Sequence, residues 1–151
     1  MKEIFAQEGT PWEYPERYSF NDNLIELRDK MEFGMGTPLI GLLFINGTEV
    51  SLLNGIEMYH YKFGAPIIFT DKYIYIPLFE FRNEYKTKKN TFWERIWEGS
   101  GYYISRVNYS GNVEILSKKF DLVYLVKIED DIIYYRTKDE GRIKSIKLPQ
   151  E

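Results

Sequence analysis

A single histidine, His60, limits the acid–base chemistry that this chain of 151 residues could perform. It lies in Tyr59-His60-Tyr61, and the sequence has no Gly-x-Ser-x-Gly motif to present a serine nucleophile to it. Because the chain has no cysteine and no second histidine, a transition-metal site would depend on carboxylates, which show no ligand spacing. We therefore expect a structural or surface role for His60, with no metal, no cofactor and no catalytic residue.

Carboxylate pairs are the other candidates for chemistry, since glycoside hydrolysis needs two acids facing each other across a cleft. Glu129-Asp130-Asp131 and Asp139-Glu140 are adjacent acids in expected turns, and Glu80 and Glu84 lie near the end of an aromatic strand. Adjacent turn acids are typical of solvated turns. The Gly-rich segment 34–37 follows a predicted helix, whereas a phosphate cradle precedes one, so nucleotide binding is not expected.

One segment interleaves basic and aromatic residues, a pattern that suits an acidic protein or a single-stranded nucleic acid. Its tryptophans, Trp93 and Trp97, are four positions apart and either anchor the segment to the core or form an interaction hot spot. Loop lysines are also an ordinary surface feature. The candidate partner-binding residues are Tyr85, Phe92, Trp93 and Trp97, with Glu129, Asp130 and Asp131 if the partner is a basic nuclease.

The totals describe one ordinary domain, residues 1–151, that can bury a sizeable core. Twenty basic and 23 acidic side chains give a net charge of −3, which does not favour a nucleic-acid partner. The aromatic share of 17% suits half-buried sheet faces. The lack of cysteine, of an apolar leader in the first ten residues and of a membrane-length apolar run predicts a cytoplasmic protein.

The pattern of residues predicts a mainly β fold of antiparallel, meander-like sheets in one domain. Residues 1–20, with prolines four apart among aromatics, predict an extended arm. One amphipathic helix is expected at about 22–33, where Leu24, Leu27 and Met31 share a helical face, and a second short helix at about 91–98. Asn46-Gly47 predicts a hairpin. Residues 83–101 are expected to be an insertion within the β pattern.

The sequence contains two pairs of similar segments, which indicate a weak internal repeat. Residues 71–76 match 130–135 at an offset of 59, and residues 104–109 match 143–148 at an offset of 39. Both members of the first pair run from an acidic turn into β-branched and aromatic residues. A repeat of this period is typical of stacked β arrays.

The segment 104–148 resembles one blade of the low-density-lipoprotein-receptor-type β-propeller repeats of bacterial proteins. The resemblance rests on Arg106-Val107-Asn108-Tyr109-Ser110-Gly111-Asn112, Asp130-Asp131-Ile132-Ile133-Tyr134-Tyr135 and the returning 143–148. It implies blade-like antiparallel sheets that serve as a binding scaffold. Too few copies are present to close a propeller.

The overall profile, a small, acidic, cysteine-free β domain without a catalytic motif, is similar to the immunity proteins of bacterial toxin–immunity systems. This likeness implies a non-enzymatic protein that neutralises a partner toxin or effector by direct binding. The alternative is a ligand-binding or sensor module whose sheet cleft holds a small molecule or glycan. Tyr73, Tyr75, Tyr134 and Tyr135 would line that cleft.

Overall fold

The computed structural model describes residues 2–81 and 99–150, which form strands and one turn of 3-10 helix at Met58–His60. The strands are β1 (Glu3–Phe5), β2 (Arg17–Phe20), β3 (Asn23–Glu32), β4 (Leu39–Ile45), β5 (Thr48–Glu49), β6 (Leu52–Leu53), β7 (Ile56–Glu57), β8 (Tyr61–Phe63), β9 (Ile68–Phe69), β10 (Tyr73–Glu80), β11 (Gly101–Asn108), β12 (Val113–Ile115), β13 (Tyr124–Glu129), β14 (Ile132–Arg136) and β15 (Lys144–Lys147). The prediction of a mainly β, antiparallel fold is confirmed. No helix in these residues is both long and apolar enough to cross a membrane.

Most of the described strands belong to one of two sheets. A nine-stranded sheet has the order β12-β11-β10-β8-β4-β3-β2, with β5 paired to β4 and β9 paired to β10. A four-stranded sheet has the order β1-β13-β14-β15, and β6 and β7 form a separate hairpin. Since β1 pairs with β13, the segment 1–20 contributes one strand to each large sheet.

The two faces of the nine-stranded sheet bury different cores. Alternate residues of β10 divide between them: Ile74 and Ile76 belong to the first core, and Tyr75 belongs to the second. Tyr18 on β2 and Val113 on β12, at opposite ends of the strand order, share the first core, so the sheet curls around it. The second core is the layer between the two sheets.

The helix predicted at 22–33 is wrong, because these residues form β3. Ile25 and Leu27 are fully buried at a period of two, whereas Leu24 and Met31 are 39% and 49% exposed. Asn21 and Asp22, which precede this strand, have φ values of 47° and 64° and form the two-residue turn between β2 and β3. These residues form a strand because its alternate residues Ile25 and Leu27 cover the first core. A helix with Leu24, Leu27 and Met31 on one face would not bury Ile25 there.

The Asn46-Gly47 hairpin is confirmed, with φ values of 50° and 84° between β4 and β5. Pro77 lies inside β10 rather than at an edge. Its carbonyl accepts the amide of Gly64, the residue after β8, and its nitrogen carries no hydrogen to donate to Gly64 in return. The regular pairing of β8 with β10 ends at Phe63 and Leu78, and β9 pairs with β10 in a different register.

The two copies of the internal repeat form strand pairs with the same register. Tyr73 lies opposite Asn108 in the β10–β11 pair, and the equivalent positions Ile132 and Lys147 lie opposite each other in the β14–β15 pair. The segment 104–148 is divided between the sheets, since β11 and β12 belong to the larger one and β13 to β15 to the smaller one. The second helix predicted at 91–98 lies outside the described residues, as does most of the insertion predicted at 83–101.

Candidate protein-binding surface

The outer face of the four-stranded sheet is built by strict alternation along its strands. Ile4 on β1, Ile128 on β13 and Ile133 on β14 lie opposite one another and pack into the second core. Their neighbours in sequence must then point to the other side of the sheet. We call that side the outer face; it carries Glu3, Phe5, Tyr124, Lys127, Glu129, Ile132, Tyr134, Arg136, Ser145 and Lys147.

A row across the middle of the outer face joins Phe5, Lys127, Tyr134 and Ser145, one from each strand. Phe5 is 60% exposed, which is unusual for a phenylalanine. The ammonium of Lys127 lies 5.2 Å from the centre of the Tyr134 ring and 6.0 Å from that of Phe5. Cation–π attraction at these distances favours one orientation of both rings.

Lys127 is also the electrostatic centre of this surface. Its Nζ donates to Glu3 Oε2 at 2.8 Å and lies 3.6 Å from Glu129 Oε1. The hydrogen bond to Glu3, with the negative charges of both carboxylates, holds the pKa of Lys127 above its usual range. With its pKa raised, Lys127 stays charged, and its contacts with Glu3 and Glu129 hold it beside the two aromatic rings.

A second cation–aromatic pair lies at the other end of the outer face. The Arg136 guanidinium carbon is 4.1 Å from the centre of the Tyr124 ring, directly across the β13–β14 ladder. An arginine that stacks on a ring loses little further freedom when a partner covers it. Aromatic residues and arginine are also the types enriched at protein interfaces.

The acidic turn Glu129-Asp130-Asp131 closes one end of the outer face. Asp130 and Asp131 have φ values of 56° and 62° and connect β13 to β14 as a two-residue hairpin loop. Both are exposed, and Glu3 lies directly opposite Glu129. Lys127 compensates part of this charge, so the end of the sheet remains acidic.

Of the predicted partner-binding residues, the structure therefore brings Glu129, Asp130 and Asp131 to the outer face. Tyr85, Phe92, Trp93 and Trp97 lie outside the described residues. Asp139 and Glu140 lie in an exposed turn, as expected for solvated acids. His60 is exposed on the 3-10 turn, with its ring 3.7 Å from that of Tyr59.

The four tyrosines of the predicted cleft do not share one surface. Tyr75 and Tyr135 are 3% and 4% exposed in the second core, against which Tyr73 also packs. Tyr134 points to the outer face, as the residue before an inward-facing one must. Tyr75 borders a cavity of about 320 Å³ together with Asp131 and Lys147.

Glu80, which the sequence offered without a role, is a buried carboxylate at the end of β10. It accepts the hydroxyls of Tyr61 and Tyr103, each at 3.0 Å, and lies 3.4 Å from Lys119 Nζ. Lys119 also donates to the carbonyl of Gly99 at 2.8 Å. These contacts use the carboxylate to join β8, β10 and β11, which is a structural role.

A further cavity, of about 710 Å³, lies between the β4–β6 segment and the β11–β12 turn, with Glu49 at its rim and Val50 and Val113 in its wall. Within residues 2–81 and 99–150, no group of three or more metal-ligating side chains is close enough to hold an ion.

Sequence reasoning missed Phe5, Lys127 and Arg136 as surface residues. For Lys127 and Arg136 the signal was the alternation in 124–136, where half-buried positions alternate with the buried ones; Phe5 lies outside that segment. The bulge between Leu125 and Lys127 shifts this alternation by one residue and conceals it.

Comparison of the chain with protein-family models gave no match, and the searches for a similar curated protein and for a similar solved structure gave none either. The function is therefore inferred from the geometry of the chain itself.

Proposed function

We propose that this protein binds another protein without catalysing a reaction, and that it acts as a bacterial immunity protein that neutralises a toxin or effector by covering its working surface. The observation that carries the proposal is the outer face, where the exposed Phe5 ring and the half-buried rings of Tyr124 and Tyr134 are held by neighbouring cations. The lack of cysteine supports a role in the reducing cytoplasm.

Phe5 is the expected anchor of this contact. A phenylalanine presents about 200 Å² of surface, so covering the 60% that Phe5 exposes removes about 120 Å² of apolar area from water. At ~25 cal/mol per Å² this is worth at most about 3 kcal/mol, the size of an interface hot spot. Lys127 lies beside the Phe5 ring and Tyr134 lies on the far side of Lys127, so a partner that covers Phe5 also covers this row.

The acidic turn sets the kind of partner. Glu129, Asp130 and Asp131 lie at one end of the outer face and attract a basic surface such as the substrate groove of a nuclease. Charges at the rim of an interface mainly raise the association rate, and they do so less at high salt. The affinity for the partner would then depend on the aromatic residues of the outer face, and the association rate would depend on the acidic turn.

Capture from a lysate of the source organism, at near-physiological salt, tests the proposal with three tagged proteins. They are the wild type, Phe5→Ser and the control Met35→Ser, which removes an equally apolar, fully exposed side chain from the β3–β4 turn. We expect one stoichiometric partner on the wild type and on Met35→Ser, reduced about 100-fold in affinity on Phe5→Ser. Equal capture by all three, or an empty column, would reject the outer face as the binding surface.

Neutralisation needs a second step. The captured protein is expressed alone and together with this chain, and cell growth is followed. Growth arrest that wild type relieves and Phe5→Ser does not relieve is expected. A captured protein that is harmless alone would contradict the immunity role and leave a binding protein of another kind.

A further inference from the structure

We propose that β15 is a docking edge at which an acidic, extended segment of a partner protein adds as a fifth strand to the four-stranded sheet. This goes beyond the proposed function, because it uses the backbone at the edge of the sheet, where only Ser145 and Lys147 also belong to the outer face. We call residues 142–147 the β15 edge.

The backbone of the β15 edge has open hydrogen-bonding positions. Among the strands of residues 2–81 and 99–150, β15 is terminal in its sheet and pairs only with β14. The amide of Leu148 donates to Asp131 O at 2.8 Å, which fixes the phase of the ladder. Because bonded and non-bonded pairs alternate in an antiparallel ladder, Ile146 and Lys144 bond to β14, and the amides and carbonyls of Ser145 and Lys147 point away from it.

The side chains of the β15 edge select the charge of an added strand. Arg142, Lys144 and Lys147 are exposed, and none forms an ion pair with any residue that the structure describes. Edge lysines normally prevent unwanted strand pairing, because a neutral or basic neighbour leaves them uncompensated. A strand with acids opposite them removes that obstacle, so the same lysines discriminate in favour of an acidic partner.

Two apolar residues alternate with the cations. Ile143 is 55% exposed and Ile146 is half-buried, and both side chains would contact the residues opposite them on an added strand. An antiparallel strand about 4.8 Å from β15 places its residues opposite Lys147, Ile146, Ser145, Lys144, Ile143 and Arg142 in turn. The matching order is Glu-Val-Thr-Glu-Val-Glu. Main-chain bonds would supply affinity, and the alternate side chains specificity.

The probe is the blocked peptide Ser-Glu-Val-Thr-Glu-Val-Glu-Ser, titrated into the isotope-labelled full chain and followed by NMR. A peptide with lysine at each glutamate position is the charge control. We expect shifts confined to the β15 edge and slowed hydrogen exchange at the amides of Ser145 and Lys147. The Ile146 amide, already bonded to β14, should not change, and the lysine peptide should bind at least about tenfold more weakly.

Two variants separate strand addition from simple charge attraction. Ser145→Pro removes an outward amide that β14 does not use, so the fold should persist and peptide affinity should fall by about tenfold. Met35→Ser is the control and should bind as wild type. If Ser145→Pro does not fold, the hydrogen exchange of the Ser145 and Lys147 amides makes the distinction, because an added strand slows it and charge attraction alone does not. The double change Lys144→Glu with Lys147→Glu tests the charge preference and should lose the acidic peptide and gain the lysine peptide.

The proposal is overturned if saturating acidic peptide leaves the exchange of Ser145 and Lys147 unchanged, since the edge lysines would then only keep strands away. It is also overturned if a folded Ser145→Pro protein binds as tightly as wild type, because binding would then need charge but no added strand.

Discussion

Tyr134 and Tyr135 are neighbours in sequence, yet the fold gives them opposite roles, and a pair of alanine variants tests this assignment. Tyr135 is 4% exposed in the second core, with its ring centre 5.6 Å from that of Phe120. Tyr134 lies on the outer face, 5.2 Å from the ammonium of Lys127. Tyr135→Ala should therefore destabilise the protein, and Tyr134→Ala should weaken partner binding.

The sizes of the two effects follow from what each ring touches. Replacing a buried aromatic residue by alanine costs about 3–5 kcal/mol, so Tyr135→Ala should lose about 3 kcal/mol of unfolding free energy. For a chain of this size that lowers the Tm by about 10 °C. Tyr134→Ala loses a partly exposed cation–π contact worth about 0.5–1 kcal/mol, or about 2 °C.

Urea denaturation and thermal melting of both variants measure the difference, and the capture experiment compares their binding. Tyr135→Ala, if still folded at low temperature, should retain the partner, whereas Tyr134→Ala should bind at least about tenfold more weakly. Equal destabilisation by the two changes would refute the alternation, and a reversed order would mean that β14 shows its other side to solvent.

Three further predictions test the fold and its ionisation. Ile25→Ala should lower the unfolding free energy by about 3 kcal/mol and Met31→Ala by less than about 1, by urea denaturation; similar losses would favour the helix over β3. The hydrogen bond from Arg28 lowers the pKa of Glu26 from its usual 4.5, so this stabilisation is present above that value and is lost as pH falls through the lowered pKa. Glu26→Gln should thus be less stable than wild type at about pH 7, with the difference in stability narrowing as the pH falls below 4.5; a difference that stays constant would argue against the pair. Burial raises the pKa of Tyr109 to about 12, so its contribution is complete below the ordinary 10.0 and is lost as pH rises toward 12. Ultraviolet titration against Tyr109→Phe should show this late ionisation, and a phenol that ionises near its ordinary value would contradict it.

Local chemistry predicted the turns of this protein well. Asn46-Gly47 and Asp130-Asp131 adopt positive φ values because their short polar side chains, or the lack of one, tolerate that conformation. Asn54-Gly55, the same dipeptide as Asn46-Gly47, connects β6 to β7 in the same way and was overlooked.

The choice between helix and strand for 22–33 could not be made locally. Leu27 belongs both to a helical stripe with Leu24 and to a strand face with Ile25, so the two periods compete within one short segment. The pairing of Ile25 with Ile45 decides between them, and it joins residues 20 positions apart. A contact at that distance along the chain leaves no local trace in residue spacing.

The candidate site was predictable in part for a similar reason. The acids 129–131 were assigned to an exposed turn because turn chemistry is local. That Phe5 would face solvent depends on which side of β13 meets the larger sheet, and this is settled by packing between strands far apart in sequence.

The pairing of β1 with β13 has a consequence for when the protein can fold during translation. Glu3 and Lys127, which form an ion pair on the outer face, are 124 positions apart along the chain. During translation β1 cannot pair until the chain has grown by those 124 positions and β13 has left the ribosome. Contacts of such long range form slowly. A nascent or prematurely released chain therefore displays no finished outer face, and under the proposed function neutralising capacity in a growing cell would follow completed molecules rather than initiated ones.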